Sequence, residues 1–160
     1  MNNPSSHLVH MEEAIRLAEA GMRANAGGPF GCVIVKDGEI IGRGYNEVTS
    51  TNDPTAHAEV VAIREACRHL GSFQLDGCTL YTSCEPCPMC LGAIYWARPD
   101  RVFYACTRED AAGIGFDDAF IYREIDLPVA ARSIPMASLE REKALDVFRA
   151  WMNKEDKIEY

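Results

Sequence analysis

Nowhere does the sequence run apolar for the roughly 18 residues that a membrane span needs. Its start, MNNPSSHLVHMEEA, also lacks the basic opening and apolar middle of a secretory leader. Together these absences make a cytoplasmic protein that engages no membrane the expectation. Basic residues are scarce as well: 16 Lys and Arg stand against 24 Asp and Glu, a formal net charge of −8. An acidic surface repels polyanions and lacks the phosphate contacts that dominate nucleic-acid affinity, so nucleic acid is not the expected substrate. An even cysteine count is missing too. Seven cysteines and no secretory context argue against a disulfide framework. Cys32, Cys67, Cys78 and Cys106 sit singly among apolar neighbours and read as buried small hydrophobes. The run CEPCPMC, with Cys84, Cys87 and Cys90 three residues apart, is of another kind.

No internal repeat, low-complexity tract or linker divides the chain. Its 160 residues therefore read as a single domain, large enough to close a core. HLVHMEEAIRLAEAGMRAN carries apolar residues at helical spacing. GCVIVKDGEIIGRGYN reads as a hairpin turning at Asp37-Gly38, and EVTSTNDP as the polar loop after it. Pro54 ends that loop, and Thr55 can cap a helix, AHAEVVAIREACRHL, that stops at Gly71. TLYTS and RVFYAC read as strands flanking a short helix, PMCLGAIYWA, with Pro88 in its first turn. Such alternation predicts α/β crossovers against one sheet. A last helix is expected from about residue 138 to 152.

The chemistry gathers at two helix starts. His57 and Glu59 open one predicted helix, and Cys87 and Cys90 open the other. Zinc takes imidazole and thiolate ligands, and three protein ligands leave a fourth position for water. The positive end of a helix favours the thiolate form of cysteine. His57, Cys87 and Cys90 therefore make a plausible open zinc site. Glu59, two residues past His57, points to nearly the opposite side of an ideal helix, which argues against a second ligand there. A first-turn glutamate can still reach a water at the metal, taking its proton and passing it to a leaving group. Cys84 reads as a neighbouring thiol that backs the site. Its rivals are a redox pair with Cys87 and a fourth ligand of a closed structural zinc. His7, His10 and His69 read as solvated helix positions.

His57-Ala58-Glu59 followed by Pro86-Cys87-Pro88-Met89-Cys90 resembles the H-x-E…P-C-x-x-C signature of zinc-dependent nucleobase deaminases. The runs GGPFGCVIVKDG, NDPTAHAEV, YTSCEPCPMCLGAIYWARP and GFDDAFIYREI, with terminal Tyr160, resemble the bacterial guanine deaminases of the cytidine deaminase-like superfamily. The metal motif is shared with tRNA adenosine deaminases, so the likeness to the guanine enzymes rests on the flanks. The resemblance implies a three-layer α/β/α fold with a central five-stranded mixed sheet and one Zn2+ per subunit. It implies conversion of guanine and water to xanthine and ammonia, with Glu59 as proton shuttle. Asn46 and the Ala58 N–H would hold the purine base between Phe30 and Trp96. Asp118 would bind guanine and assist proton transfer, although spacing alone does not separate it from Asp117. Tyr160 would cover the site, with segment 135–160 exchanged in a domain-swapped homodimer. Alternatives are a tRNA adenosine deaminase and a non-catalytic zinc-stabilised binding module, for which Glu59 would be dispensable.

Overall fold

The computed structural model describes residues 4–116 and 118–160, the side chains of residues 4 and 5 aside. They fall into two compact units, Met1–Ala119 and Phe120–Tyr160. The first begins with α1 (Pro4–Arg23) and the hairpin β1 (Gly31–Lys36) and β2 (Glu39–Tyr45). Asp37 and Gly38 both take positive φ, 51° and 85°, the geometry of a tight hairpin turn. The expected loop after β2 contains a single helical turn, α2 (Val48–Thr51). Then come α3 (Ala58–Leu70), β3 (Cys78–Cys84), α4 (Pro88–Ala97), β4 (Arg101–Cys106) and α5 (Arg108–Gly113).

The sheet runs β2-β1-β3-β4. Its first two pairings are antiparallel, and β3 pairs with β4 in parallel. Strand alternation assigns its two faces. Val33, Val35 and Tyr81 pack with Ala14 and Leu17 of α1, whereas Cys32, Ile34 and Leu80 pack with Ala62 and Ala66 of α3 and Ile94 of α4. The three layers and mixed sheet are as expected, but among the described residues the sheet has four strands, not five. After β4 every regular element is helical: Thr107 and Asp110 form a capping box that starts α5, and 133–138 joins no strand.

Three other expectations need correction. Thr55 does not cap α3. Its N–H and hydroxyl both donate to Asp53 Oδ1, at 2.8 and 2.7 Å, and His57 takes the cap position instead. Cys106 is exposed, because it ends the edge strand. His7 and His10 are half-buried against Tyr81, with His7 Nδ1 2.6 Å from the tyrosine hydroxyl.

The second unit holds most of α6 (Ala119–Asp126), a 3-10 turn at Val129–Ala131 and α7 (Arg141–Met152). None of its described side chains is buried. Among the described residues no helix is long and apolar enough to cross a membrane.

Candidate zinc centre

Both helices that meet here sit where the sheet delivers them. β2 lies close under α3 because Gly44 has no side chain: a Cβ there would stand 2.3 Å from the Ala58 carbonyl oxygen. β3 ends at Cys84, and a short turn leads to Cys87, whose extended backbone makes it the cap of α4. Its sulfur accepts the Cys90 N–H at 3.5 Å, so a thiol does the work usually done by a serine or aspartate.

Three ligand atoms converge as a result. His57 Nδ1 lies 3.6 Å from Cys87 Sγ and 3.5 Å from Cys90 Sγ. A tetrahedral zinc with ordinary Zn–S and Zn–N bonds sets such atoms about 3.6 Å apart, so the donor set and spacing suit one Zn2+. Among the described residues this trio is the one cluster arranged for a metal. Cys84 is not part of it. Its thiol donates to the Thr107 carbonyl at 3.5 Å, and burial pushes its pKa up to about 11. Cys87 moves the other way, down to about 4, chiefly through the neighbouring Cys90 side chain and then through His57. Cys90, beside the Cys87 sulfur and buried, is shifted up. One thiolate thus stands ready, and zinc must displace the proton of the other.

Glu59 is 6% exposed, and burial raises its pKa. Its Oε2 accepts from the Cys90 thiol at 3.3 Å and its Oε1 from the Thr82 hydroxyl at 3.1 Å. Ideal helical spacing sets Glu59 away from His57. Because His57 is the extended cap residue, that spacing does not apply, and both side chains reach the same centre.

A cavity of about 620 Å³ opens over this group, within the size range of small-molecule sites. Phe30, Asn46, His57, Glu59, Cys87 and Asp118 all line it. Asn46 Oδ1 accepts the N–H groups of Gly28 and Val48, each at 3.2 Å, which fixes the amide's orientation and leaves its NH2 end for a ligand. Ala58 does not line the cavity. Its side chain is core, so only its backbone can serve there. Trp96 does not line it either. Helical spacing sets it off the inward row of Cys90, Ile94 and Ala97, and it is 63% exposed. Tyr160 belongs to the second unit and is exposed. Asp117 lies outside the described residues.

Two residues of the site escaped the sequence reading. Phe116 meets Phe30 edge to face, with ring centroids 4.9 Å apart, and lines the same cavity. It stood in view inside the GFDD run. Thr82 carried a fainter signal, as a hydroxyl among the apolar and thiol side chains that alternate along β3.

A buried carboxylate beside an open three-ligand zinc site, at the floor of a cavity, is the arrangement that activates water, and this defines the class as a zinc-dependent hydrolase. The family profile of the cytidine and deoxycytidylate deaminase zinc-binding region matches residues 4–106, and the chain belongs to that family. It is 59% identical over 155 residues to the guanine deaminase of Bacillus subtilis, covering 97% of this chain and 99% of that one. A crystal structure of guanine deaminase from Bacillus subtilis superposes with a TM-score of 0.94 at 59% identity, covering 100% of this chain and 99% of the other. The tRNA-specific adenosine deaminase of Aquifex aeolicus is 34% identical over 146 residues, 91% of each chain.

Proposed function

We propose that the protein hydrolyses guanine to xanthine and ammonia. Full-length likeness to a guanine deaminase carries this reading, because it extends beyond the metal motif into the GFDD run and the tail. The geometry supports it. Phe30 and Phe116 offer aromatic surfaces for a planar base, and the Asn46 NH2 is available to an acceptor on it. Asp118, at the cavity wall, supplies a carboxylate for the N–H edge of guanine, where adenine presents another donor pattern. Bound zinc supplies the Lewis acidity that brings the pKa of water to about 7. Glu59 then takes the water proton and returns it to the departing amino nitrogen, so that the C–O bond forms, the C–N bond breaks and ammonia leaves.

Release of ammonia from guanine, adenine, cytosine, cytidine and a tRNA anticodon stem-loop, each presented separately to the zinc-loaded protein, tests this. The expected result is release from guanine alone, with xanthine formed. Release from the stem-loop alone would favour the tRNA enzyme, and silence on all five a zinc-stabilised binding module.

The working form we propose is a homodimer that exchanges residues 135–160, with Tyr160 of each chain covering the cavity of the other. Exposed apolar surface supports it: Val147, Phe148 and Met152 of α7 are each 66% exposed, and Leu91, Tyr95 and Trp96 crowd the outer side of α4. Co-expressing Glu59→Gln and Tyr160→Ala chains is the test. In an exchanged dimer one of the two sites regains both residues and activity returns. Without exchange no site does, and the mixture stays as poor as its parts.

A further inference from the structure

On the side of β3 facing α3 the inward row reads Cys78, Leu80, Thr82, Cys84. Thr82 is 1% exposed, opposite Cys32 in the neighbouring strand. Valine has the same shape and would suit that apolar setting. A hydroxyl there incurs a desolvation cost unless it is hydrogen-bonded. The bond it makes runs to Glu59 Oε1, at 3.1 Å, between two buried groups from different elements.

The two oxygens of Glu59 are therefore unlike. Oε1 is held by a hydroxyl that stays protonated whatever happens at the metal site. Oε2 is turned the other way, 3.3 Å from Cys90 Sγ and so toward the ligand cluster. One carboxylate oxygen is thus tethered to the sheet, and the other faces the side chains that would hold the metal. We infer that Thr82 is a positioning residue for the reaction proposed above: its hydroxyl fixes the plane of the Glu59 carboxylate through Oε1 and leaves Oε2 as the oxygen that collects and delivers the proton. On that reading the O–H bond of water breaks, an O–H bond to Oε2 forms, and the same proton later passes to the departing nitrogen.

Two substitutions and a cycle decide it. Thr82→Val keeps shape and removes the donor; it is expected to lower kcat for guanine roughly tenfold to a hundredfold, part of what a placed proton carrier contributes. KM and bound zinc should stay within about twofold of wild type, since binding in both states is untouched. Thr82→Ser restores the donor and should recover most of kcat. Unchanged kcat in Thr82→Val, or no recovery in Thr82→Ser, overturns the inference. Unfolding of the zinc-loaded protein is read independently of turnover, with Thr82→Val and Glu59→Leu alone and combined. The pair should be coupled, the double variant losing less than the two single losses together, and additivity also overturns the inference. If the wild-type protein releases no ammonia from guanine, the proposed reaction fails by itself and the unfolding cycle alone judges the contact.

Discussion

The two helices that meet at the zinc centre are built on opposite plans. α3 is packed away: Ala58, Glu59, Ala62 and Ala66 are buried, and the alanines let its backbone lie close on the glycines of β2. α4 buries Cys90, Ile94 and Ala97 on one side and leaves Leu91, Tyr95 and Trp96 exposed on the other. α3 contributes one candidate ligand and the proposed proton carrier, α4 two candidate ligands. The group that must be aimed at a substrate thus stands on the helix with the tightest backbone support. The ligands on α4 are held by their own cap geometry, so that helix can spend its outer face on something else.

Separating the two contributions gives the largest expected effects. Cys90→Ala removes a ligand of the α4 pair and should abolish both zinc binding and turnover. The variant should also lose the stabilisation that bound metal confers, about 2.7 kcal/mol when free zinc stands at a hundred times its Kd. Metal analysis and thermal unfolding check this, and chelated wild-type protein should unfold as the variant does. Glu59→Gln strikes the α3 contribution instead. Turnover should fall by roughly 10² to 10⁴, while zinc stays bound through His57, Cys87 and Cys90. Retained turnover would sink the proposed mechanism, and lost zinc would show that the two contributions cannot be separated.

The same contrast decided what was legible in the sequence. The start and end of α4 agree with the reading to the residue, because Pro88 and the two thiols announce one end and Arg98-Pro99 follows the other. The start of α3 was misplaced by a rival hydrogen bond, as Thr55 turned to Asp53 and left His57 to begin the helix. That shift is also why Glu59 and His57 share a centre that ideal spacing denied them. The ligands were readable because their types and spacing suit one metal, and Glu59 because a first-turn carboxylate can reach a water held there. Thr82 and Phe116 were not, since each becomes meaningful only through a partner 23 or more residues away in the fold. Trp96, a base contact by resemblance alone, lies on the exposed side of its helix in the single chain. The fifth strand came from the resemblance and not from any run of this sequence; among the described residues the chain after β4 enters a helix through the Thr107–Asp110 capping box.

One methyl group on each helix system gives the finest test of the two plans. Gly44→Ala places a Cβ 2.3 Å from the Ala58 carbonyl oxygen, which is backbone and cannot swing aside. α3 must move, at a cost of about 1–3 kcal/mol, typical of overpacking. His57 and Glu59 move with it, so kcat should fall alongside Tm. Gly92→Ala adds the same methyl on α4 where nothing lies within 4 Å. Helix propensity alone then acts, worth up to about 1 kcal/mol in favour of alanine. Zinc content and kcat should be unchanged and Tm equal or higher. Should Gly92→Ala instead weaken self-association in sedimentation, the outer side of α4 is covered at that point, and its freedom belongs to the single chain and not to the assembled protein.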